Sequence, residues 1–280
     1  MAKILDGKSL RDKLLENLKT EIDGFGVKPS LSVILVGNDP ASRIYVNNKK
    51  KTAEKLGIIS TVFTYPEDVE EAVIINKIDE LNNDKNVHAI LVQLPLPEHL
   101  DKNKIINRIS PNKDVDCFTF ENYGKLASGE EPAVYPCTPN GVLLLLKEYG
   151  IELDGKNVAV IGRSNLVGKP MGLLAMKENA TVTFCHSHTK NLKEITKRAD
   201  VIISATGHPV IKVDMVKEGA VVVDVGIFKD ENGKLRGDVE FGEVLGVAGF
   251  ISPVPGGVGP MTIASLMLNT VKLYKKQNKY

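Results

Sequence analysis

Runs of apolar residues alternate with segments whose apolar positions recur at helical spacing along nearly the whole chain. In residues 7–24, Leu10, Leu14, Leu18 and Ile22 fall on one stripe and predict a helix. "LSVILVG" (31–37) reads as a buried strand, and "ASRIYVNNKKKTAEKLG" (41–57) as a helix closed by Gly57. Strand "ISTVFTY" (59–65), a helical pattern over 68–83 and strand "HAILVQL" (88–94) follow. Repeated β-α-β order implies parallel pairing with right-handed crossovers.

A loop-rich stretch, 110–137, interrupts the rhythm, and a short apolar helix over 138–149 is entered through Thr138-Pro139. A second alternating series starts at "NVAVIG" (157–162), continues through "TVTFC" (181–185), "VIISAT" (201–206) and "AVVVDVGI" (220–227), and ends at "GVAGFIS" (246–252). The pattern therefore predicts an α/β protein of two α/β domains. Residues 1–138 form the first and 139–260 a Rossmann-like second, while a last helix, 261–280, returns to the first.

Composition narrows the classes. Of 280 residues, 42% are hydrophobic and 25% charged, as in a globular protein with a proper core. The formal charge is +1, from 36 basic and 35 acidic residues spread along the chain, which argues against a nucleic-acid or other polyanion partner. Aromatic content is low and Trp is absent, which disfavours a base-stacking platform. Residues 244–271 carry no charge, but five Gly and three Pro exclude a membrane span. The opening MAKILDGKSL lacks the apolar core of a signal peptide, and Cys117, Cys137 and Cys185 are widely spaced with no CxxC. They read as reduced thiols, and a cytoplasmic location is expected.

Two constellations carry chemistry. "VAVIGRSNLVGKPMG" runs strand, tight turn, helix, with Gly162 ending the strand and Gly168 six positions later. Ser164 replaces the second Gly of the usual dinucleotide fingerprint, yet amides at a helix N-terminus still suit a phosphate. An ordinary βα turn is the competing reading. After the next strand, "CHSHT" offers no acid for a ribose 2′-OH, while Arg163 stands in the neighbouring turn. A cation and hydroxyls there favour NADP over NAD, unless Arg163 is a solvated surface residue. Cys185-His186-x-His188 is too compact for a tetrahedral shell and has no partner pair, so no metal is expected.

In the first domain, Ser42, Tyr45, Lys49 and Thr52 share one helix face. Gln93 leaves the carboxyl end of the strand at 88–92, and Asp116 follows in the loop-rich stretch. Ligands in open parallel sheets gather at such ends, so these groups are expected to converge. Against this, "NNKKKTAEK" also fits a simply solvated helix face. Finally, "PVPGGVGPMT" (253–262) holds six Gly or Pro in ten positions: Gly256, Gly257 and Gly259 permit close backbone approach, and Pro253, Pro255 and Pro260 stiffen the loop. Plain punctuation between strand and helix is the other reading.

"GNDPASRIYVNNKKKTAEKLGI", "VQLPLP", "PNKDVDCF", "CTPNGV", "GRSNLVGKP", "TVTFCHS" and "PVPGGVGPMT" together resemble the bifunctional methylenetetrahydrofolate dehydrogenase/cyclohydrolase family over essentially the whole chain. The resemblance implies NADP-dependent oxidation of 5,10-methylenetetrahydrofolate to the methenyl cation, then hydrolysis to 10-formyltetrahydrofolate. Folate and nicotinamide would meet between the two domains. Lys49 would be the central cyclohydrolase residue, with Tyr45 positioning it, Gln93 bonded beside it and Asp116 holding the pterin. Burial, the cationic intermediate or Lys50 and Lys51 would make that lysine a better base than a free one.

The substrate would also touch Ser42, Leu94, Pro95, Pro255, Gly256 and Gly257. The coenzyme would touch Gly162, Arg163, Ser164, Ser187, Thr206, Gly207, Gly226 and Ile227. A homodimer formed through the cofactor domain is implied as well. Three positions depart from the family's pattern: Cys117 where Gly is usual, Ser252 for Thr, and His188 for Lys or Arg. If position 117 needs a positive φ, Cys carries strain there. No GxxxxGK[ST] loop is present. The alternatives are a dehydrogenase with little or no cyclohydrolase activity, another NADP dehydrogenase acting on small hydroxy or keto acids, and a non-catalytic nucleotide-binding regulator.

Overall fold

A computed structural model describes residues 1–278. The chain runs β1 (Lys3–Ile4), α1 (Gly7–Asp23), β2 (Ser30–Val36), α2 (Pro40–Leu56), β3 (Ile59–Tyr65), α3 (Glu71–Asn83), β4 (Ala89–Val92), α4 (Lys102–Arg108), α5 (Phe120–Ser128) and α6 (Cys137–Glu148). It continues β5 (Asn157–Ile161), α7 (Gly168–Lys177), β6 (Thr181–Cys185), α8 (Leu192–Arg198), β7 (Val201–Ser204), β8 (Val221–Asp224), β9 (Phe228–Lys229), β10 (Leu235–Arg236), α9 (Phe241–Val244), β11 (Phe250–Ile251) and α10 (Val258–Asn278). Two compact units result: residues 14–137 with those from Leu266 onward, and residues 1–13 with 138–265.

The first unit is built on a parallel three-stranded sheet in the order β3-β2-β4. All seven residues of β2 are buried. Leu31, Val33 and Leu35 pack on one face with Val46, Ala53 and Leu56 of α2 and with Leu266, Met267 and Val271 of α10. Ile34 and Val36 pack on the other face with Ile74, Ile78 and Leu81 of α3. A strand covered on both faces has no solvent side, which is why it reads as one apolar run. The packing of Leu266–Val271 is the expected return of the last helix to this domain; residues 279 and 280 of the expected 261–280 helix lie outside the described residues.

The second unit holds a six-stranded parallel sheet ordered β1-β11-β8-β7-β5-β6. Residues 1–13, read from sequence with the first domain, belong here instead, because Lys3 pairs with Phe250 and Ile4 with Ile251. Residues 261–265 fall in this unit too.

Two further expectations change. The stretch 110–137 is not all loop: the Thr119 side chain accepts from the Asn122 amide to start α5, and Gly129, at φ 82°, closes it. The strand expected over 246–252 shrinks to Phe250–Ile251, since α9 and its closing turn occupy the chain up to Ala248. Among the described residues no helix is long and apolar enough to cross a membrane.

Candidate functional site

Strand order reverses at β2 in the three-stranded parallel sheet, with β3 on one side and β4 on the other. In open parallel sheets such a switch point opens a crevice at the carboxyl ends of the strands. Helix α2 leaves β2 at that end. Asp39 caps it by accepting from the Ser42 amide at 2.7 Å, Pro40 fills its first turn, and Gly57 at φ 82° stops it. The cap fixes the helix rotation, and Lys49 Nζ then donates to Gln93 Oε1 at 3.0 Å. Gln93 is oriented in turn by its Nε2, which donates to the Leu94 carbonyl at 2.7 Å.

Asp116 completes the group. Burial pushes its carboxyl above the usual carboxylate range, opposed by the charge of Lys49 and by the Cys137 thiol. Beneath it, Asn269 Nδ2 donates to the carbonyls of Val115 (2.9 Å) and Tyr135 (2.8 Å) and lies 3.4 Å from Cys137 Sγ. The thiols of Cys117, Cys137 and Cys185 are free, buried and pushed up by that burial, so they stay protonated and unreactive.

The structure therefore brings Lys49, Gln93 and Asp116 together. Tyr45 stands exposed on the helix that carries Lys49, and Ser42 is buried, its amide held by the cap. Thr52, on the same helix, donates its hydroxyl to the Asn48 carbonyl. Lys50 lies 3.8 Å from Glu54, and Lys51 is exposed. Leu94 is partly buried and Pro95 exposed, joined by a cis peptide.

The residues preceding Asp116 hold its loop. Lys113 Nζ is buried and donates to the carbonyls of Leu81, Asn82 and Asp84, closing α3. Asp114 accepts from the amides of Phe118 and Thr119, the Thr119 hydroxyl and Asn122 Nδ2. Cys117 is fully buried at φ 59°, so this position does require the left-handed backbone that Gly adopts freely.

In the six-stranded sheet strand order reverses at β5, flanked by β6 and β7. Its first turn is shaped by backbone packing. Gly162 has φ 113°, and a Cβ there would stand 2.4 Å from the Ala205 carbonyl oxygen; one on Gly168 would stand 2.2 Å from the Gly162 carbonyl oxygen. Ser164 then does what a phosphate was expected to do. Its Oγ accepts from the amides of Val167 (3.1 Å) and Gly168 (3.4 Å), and its carbonyl takes the Lys169 amide. The amides at the head of α7 are thus already satisfied. The side chain of Arg163 is exposed in the same turn.

The other predicted coenzyme residues follow the carboxyl ends of neighbouring strands: Ser187 after β6, Thr206 and Gly207 after β7, Gly226 and Ile227 after β8. Ser187 and Ile227 are exposed, and Gly226 is buried. His188 is exposed, and Ser252 Oγ accepts the Asp224 amide at 2.7 Å. Among the described residues, no group of His, Cys, Asp and Glu side chains is placed to hold a metal. In "PVPGGVGPMT", Pro255 follows a cis bond, Gly256 has φ 113°, and a Cβ on Gly257 would meet the Pro253 carbonyl oxygen at 2.7 Å. Gly259 is open on all sides, so its need for Gly is not explained by packing.

A dinucleotide-type turn at the switch point of one parallel sheet, and a lysine–amide–carboxylate group at the switch point of another, define a two-unit α/β protein of the dehydrogenase type. Residues 5–116 match the catalytic domain of the tetrahydrofolate dehydrogenase/cyclohydrolase family, and residues 136–278 match that family's NAD(P)-binding domain. The chain belongs to this family. It is 55% identical to the bifunctional protein FolD of Aquifex aeolicus over 282 aligned positions, covering 99% of this chain and 97% of that one. Among solved structures, it is similar to the bifunctional FolD enzyme of Campylobacter jejuni, with TM-score 0.96 and 48% identity over 99% of both chains. It is also similar to the Trypanosoma brucei methylenetetrahydrofolate dehydrogenase-cyclohydrolase, solved with NADP and an inhibitor, with TM-score 0.94 and 35% identity over 100% and 99% of the two chains.

Proposed function

We propose that the protein oxidises 5,10-methylenetetrahydrofolate to 5,10-methenyltetrahydrofolate with NADP and then hydrolyses the product to 10-formyltetrahydrofolate. The single observation that carries this reading is the 3.0 Å Lys49–Gln93 hydrogen bond beside Asp116, in the segment that matches the family's catalytic domain. The three-stranded unit takes the folate and the six-stranded unit the coenzyme.

NADP supplies the hydride acceptor, and the site fits it in two ways. The glycine-lined turn at Gly162 leaves no room for a side chain, and the strand end at Cys185 is followed by His186, Ser187, His188 and Thr189, with no carboxylate to repel a 2′-phosphate. Arg163 and Ser187 hold the phosphorylated ribose, while Gly162, Ser164, Thr206, Gly207, Gly226 and Ile227 line the rest.

On the folate side, Asp116 binds the pterin through its ring nitrogen and amino group. A carboxyl whose proton affinity is raised by burial can share a proton with that nitrogen. Ser42, Leu94 and Pro95 complete the substrate contacts of this unit, and Tyr45 positions Lys49. Hydride loss needs no protein base, because the folate nitrogens stabilise the cation; the residues serve alignment. Water addition and ring opening need proton transfer, which Lys49 carries out while Gln93 Oε1 holds its Nζ. The working form is a cytoplasmic homodimer joined through the six-stranded unit.

Mixing the protein with 5,10-methylenetetrahydrofolate and NADP, with NAD in parallel, tests this. The reduced-nicotinamide absorbance rises faster with NADP, and the methenyl absorbance then decays faster than it does without enzyme. No reduction with either coenzyme leaves a binding protein only. Reduction without accelerated decay leaves a dehydrogenase alone, and reduction independent of folate points to a different substrate.

A further inference from the structure

In the six-stranded unit, two carboxylates lie where no ligand residue was expected. Asp224 ends β8 and is 3% exposed; Asp238 follows β10 and is fully buried. Asp224 Oδ1 accepts from the amides of Gly226 (3.1 Å) and Asp238 (2.9 Å), and its Oδ2 accepts from the Val239 amide (3.0 Å). Asp238 Oδ2 accepts from the Ser204 hydroxyl (2.7 Å), the Thr206 amide (2.7 Å) and the Thr206 hydroxyl (2.9 Å).

The two side chains form one bracket. Asp238 grips the loop after β7, Asp224 grips the loop after β8, and the Asp238 amide ties one carboxylate to the other. The remaining oxygen, Asp238 Oδ1, is buried with no hydrogen-bond partner in the described residues. It lies against Gly226, where an added Cβ would stand 1.7 Å away. A Cβ on Gly237 would likewise stand 2.0 Å from Asp224 Oδ2. Burial, with Asp238 nearby, pushes the Asp224 carboxyl up to about 7. Such an arrangement is expensive as mere scaffolding, since a buried polar oxygen left unpaired forfeits its hydration without a replacement bond.

We propose that Asp238 and Asp224 are positioning residues for coenzyme binding, holding Thr206 and Gly207 on one loop and Gly226 and Ile227 on the other in the geometry that receives the dinucleotide. Neither carboxylate reaches the ligand. They act through the amides of Thr206 and Gly226. The proposal rests on the dinucleotide reading of this unit given above.

Asp238→Asn tests it with three readouts on the full chain. Hydrogen exchange of the Thr206 amide accelerates at least about tenfold, because its carboxylate acceptor is replaced by an amide. The KM for NADP rises about tenfold or more, while kcat for hydrolysis of methenyltetrahydrofolate, whose proposed catalytic residues lie in the other unit, stays within about twofold. Ser204→Ala removes one donor from Asp238 and should raise the NADP KM by about threefold, which keeps the proposal testable should the first variant fold poorly.

Faster amide exchange with an unchanged NADP KM overturns the positioning role, and so does equal loss of both activities in both variants. A wild-type protein that does not reduce NADP sinks the functional reading itself, a failure seen without any variant.

Discussion

The two candidate sites sit at equivalent places, each at the switch point of a parallel sheet, yet they are built from different materials. In the three-stranded unit the site is made of side chains. Asp39 sets the rotation of α2, α2 presents Lys49, and Gln93 and Asp116 meet it from two other segments. In the six-stranded unit the site is made of backbone. Gly162 and Gly168 allow strand, turn and helix to close on one another, and Ser164 satisfies the helix head that remains. A side-chain site tolerates local change and loses one chemical role at a time. A backbone site has no slack, and a single methyl group disrupts it.

That contrast is broken most easily at Gly162. Gly162→Ala forces a residue at φ 113° against the Ala205 carbonyl. It should cost the six-stranded unit about 4 kcal/mol and abolish NADP binding, read by urea unfolding and coenzyme titration. A variant of near wild-type stability would show that the turn has slack after all.

The next largest effect is one of pH. Asp224 has its carboxyl raised to about 7 in the folded protein, against about 3.9 when unfolded. The folded state therefore binds the extra proton, so the stability from this group is full below about pH 4 and is lost as pH rises towards 7. The advantage of wild type over Asp224→Asn should shrink by about 2–3 kcal/mol between pH 5 and pH 8. A constant gap contradicts the assignment.

In the three-stranded unit, Lys113→Met leaves three carbonyls, that of Leu81 buried and those of Asn82 and Asp84 partly buried, without their donor. A loss of about 2–3 kcal/mol is expected in denaturant melts, with activity retained in the folded fraction. The smallest effect is at Cys117. Cys117→Gly relieves the left-handed backbone at φ 59° but empties a buried side-chain volume. It should fall within about 0.5 kcal/mol of wild type, whereas β-branched Cys117→Val should lose about 2 kcal/mol.

How much of this was legible in the sequence follows the same division. The helix carrying Tyr45 and Lys49, the strand that ends just before Gln93 and the turn at Gly162 are local patterns, and each element lies where its spacing put it. The pairing of Lys3 and Ile4 with Phe250 and Ile251 was not legible, since a two-residue strand has no periodicity and its partner lies at the far end of the chain. Asn269 under Asp116 is invisible for the same reason: it reads as one polar residue on a long helix. Ser164 was recognised as replacing a glycine, but its consequence, an internally satisfied helix head, needed coordinates. Asp224 and Asp238 belong to no motif, and only their convergence on two loops gives them meaning.

The central claim is that Lys49 serves the hydrolytic step and not hydride transfer. It is tested most directly by measuring both reactions on Lys49→Gln. The account predicts that hydrolysis of methenyltetrahydrofolate falls by about 100-fold or more, while NADP-dependent oxidation of methylenetetrahydrofolate stays within about threefold. Equal loss of the two would contradict it.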